Sequence, residues 1–324
     1  MTLTTKRYSK LVLIGIDCLD PYLVSHWRLK RYYSVGPTGF HFVGFDLYTP
    51  IIWAKMITGL PVEKYGYSSR QLSRKKRLLS LYYLGYLVSK MTSPHKQKKT
   101  NTSPGREGAI KTAVRKAIRG DDLSLLEKVA IGLLSKAASV EKLPRKLRRK
   151  TIIHYAASKG LRPWAIEFPP FNDHIYSVLR NMLYFYIDSA PSEKKLFLEY
   201  IWELTTRTLN LLIQCIDRYD VILWYTPYID TASHMYYRPW NIRDMTKLAA
   251  IYRRLGNLIR EKLLSMLNDD WFIVIASDHG FNPSRQDHSH YGYWSMSTTD
   301  YGKPSNVTEI AEVLKKVINL IARR

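Results

Sequence analysis

The stretch Trp271-Phe-Ile-Val-Ile-Ala-Ser-Asp278-His279-Gly280 constrains the fold more than any other. Six apolar residues, three of them β-branched, run almost directly into an acid, an imidazole and a glycine. A strand this apolar has no polar face to show to water, so it belongs in a sheet covered on both sides, as parallel sheets are. Polar residues at its carboxyl end then face the crevice where open α/β sheets hold their ligands. The glycine is expected to give a sharp exit that keeps Asp278 and His279 on one side. Alone, Asp-His-Gly often marks no more than a turn. Two other apolar runs, however, end in the same way: 11–16 stops at Asp17, and 221–225 leads into Tyr228-Ile-Asp230-Thr-Ala-Ser-His234.

Helical periodicity fills the intervals. Residues 51–57 carry Trp53, Met56 and Ile57 on one face, and Thr49 followed by Pro50 predicts that the threonine hydroxyl caps this helix. Amphipathic patterns predict helices over 192–218 and 245–267, with further strands at 164–168 and 221–225. Asn306 with Glu309 three residues later has the form of a capping box for a closing helix ending at Ile321. Strand and helix in alternation predict an α/β fold, a mainly parallel sheet sandwiched by helices.

Charge divides the chain. Its 324 residues hold 50 Lys+Arg against 27 Asp+Glu, a net of +23. Residues 70–150 alone hold 22 Lys or Arg and 5 Asp or Glu, which is +17 of that total. This quarter reads as an inserted, largely helical basic cap, with helices expected near 109–119 and 122–138 and a Ser/Thr/Lys-rich loop over 92–108. The expected organisation is core over 1–66, cap over 67–150 and core again over 151–324, with 176–192 a candidate part of the cap. No apolar stretch reaches the length of a membrane span. Two cysteines, Cys18 and Cys215, make no disulfide framework, and the expected compartment is the cytosol.

Acids and imidazoles gathered at strand ends suit borderline divalent ions, zinc above all. Asp17, Asp230, His234, Asp278 and His279 are the candidate ligands, joined by a histidine from the tail Asp287-His288-Ser-His290-Tyr-Gly292. Each alone is readable as an ordinary hydrogen-bonded group; together at element ends they point to a metal site. In order and spacing these motifs resemble the alkaline phosphatase superfamily, in particular its type I phosphodiesterase/nucleotide pyrophosphatase branch. The matching residues are Asp17, Thr49 with Trp53 and Thr58-Gly59, Asp230-x-x-x-His234, Ser277-Asp278-His279-Gly280 and His288, within 10–66 and 151–295. No Cys-x-Pro-x-Arg sequence marks a sulfatase.

The resemblance implies two divalent metal ions, zinc first, with manganese or iron as alternatives. One would take Asp230, His234 and His288, with His290 as the fallback for the last. The other would take Asp17, Asp278, His279 and the oxygen of Thr49, which would also be the nucleophile of a phosphodiesterase, or of a phosphomonoesterase of the same superfamily. The competing reading is a nucleic-acid- or anionic-membrane-binding protein acting through 70–150, where Tyr82, Tyr83 and Tyr86 interleave with the basic clusters.

Overall fold

The computed structural model describes residues 8–76, 116, 136, 139–183 and 186–323. The strand β1 (Lys10–Ile16) lies at the centre of a six-stranded sheet. The other strands are β2 (Thr38–Phe42), β3 (Pro163–Ile166), β4 (Val221–Thr226), β5 (Trp271–Ala276) and β8 (Tyr291–Met296), in the order β2-β8-β5-β1-β4-β3. A separate two-residue hairpin pairs β6 (Phe281–Asn282) with β7 (Asp287–His288). Strands β5, β1, β4 and β3 are parallel, as the apolar runs required, whereas β8 and β2 continue the sheet antiparallel. In register, Gly15 pairs with Ala276 and Ile16 with Thr226, so the three strands that lead to the candidate ligands finish level with one another.

Seven principal helices, α1 (Thr49–Thr58), α2 (Ile152–Ser158), α3 (Ile175–Leu183), α4 (Pro191–Cys215), α5 (Tyr228–Tyr236), α6 (Ile242–Leu258) and α7 (Val307–Ile321), accompany the sheet among the described residues. Alternation along β4 shows the two layers. Trp224 donates its indole N–H to Thr208 of α4, while the next residue, Tyr225, packs edge-on against Trp53 of α1. Helix α7 opens with the expected box: Asn306 accepts from the backbone of Thr308, and Glu309 reaches back to Asn306. Helix α1 differs from expectation. Its N-cap is Tyr48, and Thr49 is already the first helical residue, so its hydroxyl does not serve as the cap. The helix ends at Gly59, whose φ of 72° is a left-handed value that suits glycine.

One polar hub is buried beside this core. Glu141, 1% exposed, accepts from Tyr48 and Lys76 on one carboxylate oxygen. Its other oxygen accepts from Ser177 Oγ at 2.7 Å and Arg180 Nη2 at 3.1 Å, both on α3. Lys76 also donates to Asn181 Oδ1 at 2.7 Å. The helices expected near 109–119 and 122–138 and the loop over 92–108 lie outside the described residues, apart from Lys116 and Lys136.

Candidate metal centre

The carboxyl ends of β1 and β5 are sewn together. Ser277 Oγ accepts the backbone N–H of Leu19 at 2.8 Å and donates to the carbonyl of His279 at 2.6 Å. These bonds set Asp17, Asp278 and His279 side by side, all with 0% exposure. His279 Nε2 stands 3.1 Å from Asp17 Oδ1 and 3.2 Å from Asp278 Oδ2, and neither oxygen has a hydrogen bond. The opposite ring nitrogen lies 2.9 Å from the carbonyl of Gly280, which can only accept. That fixes Nδ1 as the donor and turns Nε2 toward the acids, the arrangement in which an imidazole ligates a metal. Gly280 makes its exit without a left-handed backbone. Its lack of a side chain matters for space, since a Cβ there would stand 2.6 Å from Asp20 Oδ2.

Helix α5 supplies a second group. Asp230 and His234 are four apart and share a face of the helix, with His234 Nε2 3.4 Å from Asp230 Oδ1. His288, at the end of β7, brings its Nε2 to 3.6 Å from the same oxygen and 3.1 Å from His234 Nε2. Its Nδ1 donates to the carbonyl of Leu47 at 2.8 Å. Asp230 Oδ1 is also buried without a hydrogen bond. Within each group the ligand-type atoms lie within 4.8 Å of one another. His290 joins neither: its Nδ1 donates to the carbonyl of Gly44 at 2.9 Å, and its ring lies against Phe42.

Thr49, 3% exposed, places Oγ1 3.3 Å from His279 Nε2 and so belongs with the first group. All seven sequence-selected residues therefore come together. The sequence reading missed Tyr225, whose hydroxyl donates to Asp17 Oδ2. Inside a run that reads only as buried strand, nothing sets that tyrosine apart.

Electrostatics report how much negative charge this site holds. Burial, reinforced by the charge of Asp17, pushes the Asp278 carboxyl well above its ordinary range. Burial opposes the charged imidazole of His279, but Asp278 and Asp17 outweigh it and hold that ring well above the usual value. Burial likewise works against an ionised Asp230, and His234 and His288 overcome it. Three buried acids with an unpartnered oxygen each, facing imidazole nitrogens, are a donor set that fits divalent cations.

Residues 111–299 match the sequence pattern of a family described as type I phosphodiesterase / nucleotide pyrophosphatase. The chain belongs to this family. The match contains Asp230, His234, Asp278, His279 and His288; it begins within the basic stretch and leaves out 10–66, where Asp17 and Thr49 lie. Those two enter the site through the central position of β1 and the start of α1. Membership supports a phosphoric ester hydrolase acting on a phosphate-ester substrate. Among solved structures the chain is similar to one titled "Structure of PH0037 protein from Pyrococcus horikoshii", at 10% identity over 97% of this chain and 98% of that one, with a TM-score of 0.46. No curated protein matches the chain significantly. Among the described residues no helix is long and apolar enough to cross a membrane.

Proposed function

We propose that this member of the family is a two-metal phosphodiesterase with Thr49 as its nucleophile. The observation that carries the reading is the meeting of two Asp/His groups with Thr49 Oγ1 at 3.3 Å from His279. Asp17, Asp278 and His279, with the Thr49 oxygen, would hold one divalent ion, and Asp230, His234 and His288 the other; zinc fits this donor set first. Two such ions supply charge neutralisation for a phosphoryl group and lower the pKa of an oxygen bound to them.

The chain's own residues set the geometry. Thr49 is held by the first turn of α1, whose positive end favours an incoming phosphate. Attack of Oγ1 on phosphorus, in line with the departing ester oxygen, forms an O–P bond to the threonine and releases the first alcohol. Water then cleaves that bond, restoring the hydroxyl and freeing the monoester. Tyr225, by donating to Asp17 Oδ2, keeps the other oxygen of Asp17 turned toward His279. The +17 of residues 70–150 fits a role in drawing an anionic substrate toward the site.

The test is metal analysis of the purified protein together with hydrolysis of bis(p-nitrophenyl) phosphate against the monoester. The reading expects two ions per chain and faster turnover of the diester. Less than one ion per chain after zinc or manganese loading would overturn it.

A further inference from the structure

Cys18 follows Asp17 directly and has 0% exposure. Its sulfur, a carboxylate oxygen of Asp230 and a ring nitrogen of His279 all lie within 4.8 Å of one another. Asp230 belongs to one ligand group and His279 to the other, so the thiol stands between the two. A buried cysteine ordinarily behaves as a small apolar side chain. Here its neighbours are a carboxylate, with a buried oxygen that has no hydrogen bond, and an imidazole.

The backbone at Cys18 is pinned on both sides. Its N–H donates to Asp278 Oδ1 at 3.3 Å, and its carbonyl accepts from Tyr252 at 3.2 Å. Its φ is 59°, a left-handed value that a residue with a Cβ rarely adopts. Glycine would meet this conformation without strain. A cysteine in its place puts a soft donor among hard and borderline ones.

We propose that Cys18 is a further metal ligand, a thiolate set between the Asp17/Asp278/His279 and Asp230/His234/His288 groups. This inference rests on the two-metal reading and sharpens it. As the sulfur–metal bond forms, the S–H bond is given up and its proton passes to solvent. Thiolate ligation favours zinc over harder ions such as manganese, so the residue acts on metal choice.

Cobalt(II) loading tests this, with Cys215→Ser as the background so that Cys18 is the sole thiol. The bound cobalt is expected to show a near-ultraviolet sulfur-to-metal band, absent from the Cys18→Ala and Cys18→Gly variants. Glycine suits the local backbone, and near-ultraviolet circular dichroism of that variant checks the fold. Zinc affinity by chelator competition should fall at least about tenfold, the loss typical even of an outer-shell partner, with a smaller change for manganese. Stoichiometric cobalt without the sulfur band, or an unchanged zinc-to-manganese preference in Cys18→Gly, would overturn the ligand role and leave the two-metal reading standing. No bound cobalt at all would overturn both.

Discussion

The rings of His279 and His288 lie face to face, with centroids 3.6 Å apart and planes 15° from parallel. One ring comes from the end of a central parallel strand, the other from a two-residue hairpin strand. Two proposed ligand sets from separate parts of the chain thus share a wall. A change in one is expected to be felt by the other.

His288→Ala should accordingly do more than remove a donor. The proposed reading expects loss of about one ion per chain and a fall in diester turnover of roughly 100-fold or more, the scale seen when a transition-state contact is deleted. Elemental analysis and steady-state kinetics read the two effects. His290→Ala, by contrast, should leave both within a few-fold, because that ring is engaged with Gly44 and Phe42.

Thr49→Ala should lower turnover by about 1,000-fold or more with the metal content unchanged, while Thr49→Ser keeps part of the activity. Kinetics and metal analysis on the same preparations check this. An alanine variant as active as the parent would mean that water attacks the phosphorus directly.

Tyr225→Phe removes the donor to Asp17 Oδ2 and a long hydrogen bond accepted from Arg180 Nη1 at 3.5 Å, while the ring keeps its packing against Trp53 and Phe168. Metal affinity by competition with a chelator is expected to drop about 10- to 100-fold. Activity should return when the metal concentration is raised.

Glu141 gives a stability prediction outside the ligand sets. Burial would raise its carboxyl, but Arg180 and Lys76 prevail and hold it at about 2, below the ordinary 4.5. A depressed value means stability that is present above 4.5 and lost as pH falls through about 2. Its size is about 3 kcal/mol. Glu141→Gln should therefore cost about that much in urea unfolding at neutral pH, and the deficit should shrink as the medium approaches the depressed value. A deficit independent of pH would mean that the charge on Glu141 contributes nothing to it.

The sheet centre was legible because buried parallel strands are apolar on both faces and break abruptly into polar residues, as at Asp17 and Asp278. The antiparallel flank was not. In β2, Thr38-Gly-Phe-His-Phe mixes polar and apolar residues, and Phe40 is 63% exposed; β8 carries Gly292 and Ser295 within it. Such antiparallel flanking strands take their shape from their neighbours more than from their own pattern. The residues that gather at the candidate site could be picked out because their types and spacing are chemical. That Thr49 starts α1 and leaves the capping position to Tyr48 depends on one backbone turn, below the resolution of periodicity.

The pairing of Lys76 with Glu141 has a consequence for how the chain can be rebuilt. Positions 76 and 141, both inside the basic stretch, are clasped together in the hub, so whatever runs between them departs and returns at one place. Closing a loop from such a base costs only about 0.6 kcal/mol for each doubling of its length. Replacing 78–139 by a short glycine-serine linker is therefore expected to leave the sheet and the proposed ligands in place, and other sequences grafted there should leave that floor unaltered.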